Sequence, residues 1–577
     1  MGRKGIAGIV VILTILLSAL GAYGVLLEQS SAGAGQSKTL FSFELNHGAL
    51  QERILPWQDE DGTYYVFLPS YASMSELTLS PEGRSRLLVA GQQRRVGQTF
   101  GDCYFGIKYP LETEEGSSQI EFRRSDNVAA MFVSVQAEGF FDSEDKEREE
   151  KVTVSLLDED GQRETTDMSG RLKGHGNSTW EADKKPYTLT LDKAAGILGM
   201  KSAKKWILLA NAYDATNLKN KVVLDLANAV FSDWSPQGVY ADVYLNGAYN
   251  GLYLICEKVE IAENRVSKDS VCLLTQETVR RDRKQEYVTD RDVAMEIAEP
   301  KHYDEEQYDE IAENVQAMED ALFAEGKGWK SYMDADSWAK RYLIDQFSGN
   351  FDADKLSSYC YAKEENGHYK FYGGPVWDYD KAFMQEDSED VPYLFAAAAE
   401  YRRRNVYTPY YRQLLNKEGF RRKTAKIYRT KFKPLLDELA ESGLDELASE
   451  IRIASANNFQ RCQPFDPPVG YTHESLTSAL SAMRLYIKER IRQMDDMWLE
   501  GTPYYIVGIE PSVGGKIREY EVRAGEEFAH FPDVEYYHID NPVWYDRRTD
   551  AHYTQPFTPV EDMYLFLEDP EQNGGAP

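Results

Sequence analysis

NFDADKLSSYCYAKEENGHYKFYGGPVWDYDKAF, residues 350–383, holds the sharpest polar pattern in the chain. Two acidic clusters flank it: Asp352 with Asp354 and, about 25 residues on, Asp378 with Asp380. The sequence between them reads as a strand, a Glu-Asn-Gly turn and a second strand. Such a hairpin brings both clusters to one end of a short sheet. Alternate residues of a strand share a face, so Asp378 and Asp380 would point the same way if the second strand ran on through them. Carboxylates so placed repel unless a proton or cation lies between them. Mg²⁺ takes a few carboxylates together with phosphate oxygens, as in phosphoryl transfer. The plainer alternative is that these aspartates cap turns and helices.

On the N-terminal side the chain reads as β from Thr39 to about Arg124, in short runs between Gly, Pro and Asp turns, as in a small sandwich-like module. A second β-rich stretch begins near Val128. It includes a helix at Asn217–Val230, capped by Asp214 or Thr216, and a hairpin turning at Asn246-Gly247. Beyond Tyr308 the pattern is helical, resuming at about 410–447 and 473–499. A β-rich half, a helical half and the polar motifs between them predict an α+β, two-lobed domain at 126–500. It would be flanked by small all-β modules at 38–125 and 501–577.

Arg3 and Lys4 precede IAGIVVILTILLSALGAYGVLL, residues 6–27, with no charge in the run. About 20 apolar residues span a bilayer, so residues 1–37 read as a cytoplasmic tip, one transmembrane helix and a Ser/Gly/Ala linker. A cleaved signal peptide has a shorter apolar core, although Ala32-Gly33-Ala34 leaves cleavage open. The expectation is a single-pass membrane protein with its bulk outside the cell.

Composition excludes several classes. Ninety-five Asp and Glu against 65 Lys and Arg give a net charge of −30, which repels nucleic-acid phosphate over most of the surface. Hydrophobic content of 42% is too high for a disordered acidic chain. Five scattered Cys make neither a disulfide scaffold nor a zinc ribbon; Cys256 with Cys272 is the one candidate disulfide. The charge is uneven, because residues 401–433 hold twelve Lys or Arg and one Glu. That stretch is either a solvated helical face or a dock for an acidic protein substrate or ATP. The Gly174–Gly176 pair lacks the ending of a Walker loop. Two carboxylates also serve glycosidases, and 38 Tyr and 9 Trp would suit sugar stacking.

Three further blocks, with the opening stretch as the fourth, decide among these readings. They are RLKGHGNSTW at 171–180 with KKPYTLTLD at 184–192, LGMKSAKKWILLANAYDATNLKN at 198–220, VYLNGAYNGLYLICEKVE at 243–260, and NFD at 350–352 joined to PVWDYDKAF at 375–383. In this order and spacing they resemble the spore-coat CotH family of atypical protein kinases. The resemblance implies a divergent kinase-like fold that transfers phosphate from ATP, with Mg²⁺ or Mn²⁺, to Ser or Thr of proteins. By motif position Asp352 would be the catalytic loop Asp, with Asp354 its competitor. Asp378 would be the catalytic metal Asp and Asp380 a second metal carboxylate. Lys185 would face the ATP phosphates, and Lys184 beside it would point the other way. Glu257, Arg171 and Asn177 would lie at the nucleotide or hold the fold. Many members carry an Asn after the loop Asp; here the stretch is Lys355-Leu356-Ser357-Ser358. That departure leaves a catalytically weak surface protein as the alternative to an active kinase. The tail, with Gly514-Gly515-Lys516, Val522-x-Ala524-Gly525 and Val560-x-Asp562-Met563, loosely resembles the β repeat modules of Gram-positive surface proteins.

Overall fold

The computed structural model describes residues 41–567, apart from 81–86, 277–285, 292, 351–355, 384–409, 463–474, 501–503, 511–517, 524, 530, 532–542, 547–550, 555 and 561–562. The chain divides into two compact units. The first draws on 1–225, 236–265 and 445–481, the second on 226–235, 266–444 and 482–577.

The first unit is built around a closed seven-stranded barrel. Around the barrel run Ala129–Val135, Glu149–Leu157, Arg163–Gly174, Tyr187–Ile197, Met200–Leu209, Ala248–Glu257 and Gly238–Leu245. Neighbours are antiparallel except at the closure, where Ala129–Val133 pairs parallel with Ala241–Leu245. Strand alternation explains the two cores. Met131, Val133, Val243, Leu245, Tyr253 and Ile255 belong to one core cluster with Trp206 and fill the barrel. Ala130, Phe132, Tyr244 and Tyr249 point out and join the core of the N-terminal sheets, where Phe132 stacks on Tyr244 and Phe67 on Tyr249. Those sheets are three-stranded, centred on Phe43–His47, and six-stranded, including Tyr64–Leu68 and Gly116–Arg124.

The second unit holds a five-stranded sheet with the hairpin Ser358–Glu365 and His368–Gly373 at one edge. Helices Glu305–Phe323 and Ala335–Ser348 precede that hairpin in the chain. The same unit contains a second five-stranded sheet between Tyr504 and Leu567, with a small core around Phe528 and Trp544.

This architecture corrects the expected fold class. Among the described residues strand outweighs helix, and a closed barrel stands where a two-lobed α+β kinase arrangement was expected. Local pattern shows individual hairpins, whereas closure depends on a parallel pairing between segments more than a hundred residues apart. The membrane reading is corrected as well. No helix among the described residues is long and apolar enough to cross a membrane, and the run at 6–27 lies outside them. A single-pass location therefore has no support. Cys256 and Cys272 are both free buried thiols, so the candidate disulfide is absent.

A buried polar cluster ties the helix Arg452–Arg461 to the outer side of the barrel. The Asn458 side-chain oxygen accepts from Lys184 Nζ at 2.7 Å and from the Leu252 amide at 3.0 Å. Lys184 also donates to the Leu252 carbonyl and lies over the Tyr253 ring. Burial pushes its ammonium down to about 8. Gly251, at φ +100°, makes room for this arrangement, because a Cβ there would run into Asn458 and Lys184. Gly251→Ala is expected to lower stability by roughly 1–3 kcal/mol from backbone strain alone, measured by denaturant unfolding.

Asp242 belongs to the same cluster and accepts from Tyr249 Oη at 3.0 Å. Burial pushes its carboxyl up to about 7, although hydrogen bonds from Ser125 and Tyr249 work the other way. The folded protein therefore holds this proton to higher pH than the unfolded chain does. The resulting stability is complete below about pH 4 and is lost as pH rises through 7, a change of at most about 4 kcal/mol. Asp242→Asn should flatten the stability profile between those pH values. A parallel profile in the variant would count against the assignment.

Candidate functional site

Helix Ala335–Ser348 organises the acidic motif. Asp334 caps it by accepting from the Ser337 amide at 2.8 Å, and every residue from Ser337 to Ser348 is buried. A helix buried on all sides is held by the units around it, here on one side by the hairpin. Trp338 Nε1 donates to the Phe371 carbonyl at 3.1 Å, and the Gly373 amide donates to Ser337 Oγ at 3.1 Å. The helix ends at Gly349 in the left-handed region, φ 57°, where a Cβ would strike Tyr486.

The hairpin forms as expected, turning at Asn366-Gly367 with both residues at positive φ. Cys360 pairs with Gly373, so the chain enters and leaves the hairpin at the same open end. The second strand stops at Gly373, however, and Asp378 lies in the irregular segment beyond it, at φ 68°, just before a turn closed by the Ala382 amide on the Tyr379 carbonyl. Alternation along a strand therefore does not govern Asp378 and Asp380. Hydrogen bonds fix the turn instead. Asn350 Nδ2 donates to the Asp378 main-chain carbonyl at 2.9 Å, and Ser357 Oγ donates to Asp378 Oδ2 at 3.0 Å. The Phe383 amide donates to the Ser348 carbonyl at 2.8 Å. Asp380 is buried. Asp352 and Asp354 lie outside the described residues, as do Lys355 and the basic residues 402–404.

The other predicted site residues belong to the first unit. Lys185 donates to the Trp180 carbonyl at 2.8 Å, lies over the Trp180 ring and sits 3.6 Å from Glu144. Lys184 faces the opposite way, as read from the sequence, and is the buried member of the pair. Arg171 lies 3.4 Å from Glu149 in an exposed ion pair. Asn177 accepts from Lys146 Nζ at 3.1 Å, and the same ammonium closes the Gly174–Gly176 turn by donating to the Gly176 carbonyl. Glu257 is buried and forms a 2.6 Å ion pair with Arg265, while the Gln237 amide donates to its other oxygen at 3.1 Å.

Sequence reasoning missed Asn350 and Asn458. It noted Ser357 only as a departure from the family pattern. The signal for Asn350 was its place at the end of the predicted helix, two residues before Asp352. For Asn458 there was none, since Lys184 lies 274 positions away.

Among the described residues no group of three or more His, Cys, Asp or Glu side chains gathers as a metal site. The hard carboxylate oxygens of Asp378 and Asp380 nonetheless fit Mg²⁺, which is usually held by one or two carboxylates together with substrate phosphates and water.

A family model described as CotH kinase protein matches residues 172–494. That is more than half of the chain, and the chain belongs to this family. No curated protein matches it.

Proposed function

We propose that this protein is a metal-dependent phosphotransferase that passes the γ-phosphate of ATP to Ser or Thr hydroxyls of a protein substrate. The observation that supports this reading is the Asp378 turn. A carboxylate in the family's motif position sits on strained backbone, and Asn350 and Ser357 restrain its main chain and its side chain.

In this reading Asp378 and Asp380 would hold Mg²⁺ or Mn²⁺, and the bound ion would offset the charge of the ATP phosphates. Asp352 would accept the proton of the substrate hydroxyl. It follows Asn350 by two residues, and a two-residue span reaches at most about 7 Å. Ser357 restrains the Asp378 carboxylate, while the family's Asn is absent from Lys355-Leu356-Ser357-Ser358, which weakens the case for a second metal ion. Lys185 would face the phosphates by motif position, and Glu257, Arg171 and Asn177 would lie at the nucleotide or hold the fold, as their contacts with Arg265, Glu149 and Lys146 do here.

Incubation of the full chain with γ-labelled ATP, Mn²⁺ or Mg²⁺ and a Ser/Thr-rich acceptor protein tests the reading. Label on Ser or Thr is expected. Nucleotide binding without any transfer would favour the catalytically weak alternative.

A further inference from the structure

Tyr379 stands between the two paired aspartates, and its side chain turns inward. Its hydroxyl donates to Asp345 Oδ1 at 2.5 Å. Asp345 is wholly buried on helix Ala335–Ser348 and accepts at its other oxygen from Tyr411 Oη, also at 2.5 Å. Arg341, one turn earlier, lies 3.6 Å from the same carboxylate. Its guanidinium also donates to the Tyr359 carbonyl and to Ser358 Oγ, on the strand that begins the hairpin. One buried carboxylate thus gathers the turn bearing Asp378 and Asp380 and the start of the helix Tyr410–Asn416. Through Arg341 it also reaches the hairpin that precedes the turn. Taking a carboxylate and a guanidinium out of water costs several kcal/mol each, and apolar residues would fill the space as well.

We propose that Asp345 is a positioning residue for phosphate transfer, acting through Tyr379 to set the direction in which Asp378 and Asp380 present their carboxylates. This inference rests on the phosphotransferase reading above. Asp345 touches no reacting atom in it; it fixes the backbone on which the metal carboxylates stand.

Tyr379→Phe is the test, because it deletes one hydroxyl and keeps the ring. Asp345→Asn is less useful, since it strips Arg341 of its charge partner and can fail to fold. Tyr428→Phe serves as control. It deletes a buried phenol that donates to Asp495 at 2.7 Å elsewhere in the same unit. Two quantities are read on the full chain. The first is amide hydrogen exchange, without metal, at Ala382 and Phe383, whose amides bond to the Tyr379 and Ser348 carbonyls. The second is Mn²⁺ affinity in the presence of ATP, read by electron paramagnetic resonance.

Tyr379→Phe should speed exchange at these two amides and weaken Mn²⁺ by about ten- to a hundredfold, the range for losing one charge-assisted hydrogen bond. Tyr428→Phe should change neither. Unchanged Mn²⁺ affinity in Tyr379→Phe, or an equal loss in both variants, overturns the positioning role and leaves the phosphotransferase reading standing. A parent protein that binds no Mn²⁺ with ATP overturns that reading, and this inference with it.

Discussion

Asp378→Asn is expected to reduce phosphate transfer from ATP by about a thousandfold or more while leaving the unfolding curve close to that of the parent. A thousandfold corresponds to about 4 kcal/mol of transition-state stabilisation, the scale on which metal-held charge acts. The two halves of the expectation come from different atoms. The fold uses Asp378 through its main-chain carbonyl, which accepts from Asn350, and through backbone at φ 68°. Asn tolerates that region better than most residues, and its side-chain oxygen still accepts from Ser357. The proposed chemistry uses the negative charge, which Asn lacks. Steady-state kinetics beside urea unfolding separates them. Transfer that survives the substitution would remove Asp378 from its metal role.

Arg265→Ala is expected to give the largest loss of stability, about 3–5 kcal/mol. Arg265 and Glu257 are both buried and lie 2.6 Å apart, and the guanidinium also sits 5.0 Å from the centre of the Trp206 ring. Removing the cation leaves the Glu257 carboxylate in the interior with the Gln237 amide as a remaining donor. The double variant Glu257→Gln, Arg265→Met should recover much of the loss, since an apolar or neutral pair avoids the desolvation of both charges. Chemical unfolding of the three proteins checks this. A single variant as stable as the parent would mean that the pair contributes little.

The parts of the fold that follow from neighbouring residues were legible in the sequence. Asn246-Gly247 and Asn366-Gly367 mark two hairpin turns that the structure contains. Asp214 does serve the start of helix Lys219–Val230, its carboxylate accepting from the Lys219 amide at 2.8 Å, although it lies five residues upstream rather than at the capping position. Barrel closure was not legible, because the nearly continuous apolar run Ala129–Val135 suits a strand of an open sheet buried on both faces equally well. The candidate site divides in the same way. Asp378 and Asp380 stand out as a motif, and their order with the other blocks carries the family. What holds them is long-range: Asn350 reaches Asp378 across 28 positions, and Tyr411 reaches Asp345 across 66. Asp tolerates the left-handed backbone at 378 better than most residues, but nothing local says which aspartate of the motif adopts it.

Calorimetric titration of the full chain with ATP, with and without Mn²⁺ or Mg²⁺, tests the central claim most directly. The phosphotransferase account predicts ATP binding that requires the divalent ion and weakens sharply in Asp378→Asn. ATP binding of equal strength without metal would contradict the role of the paired aspartates, and no binding under either condition would contradict the account as a whole.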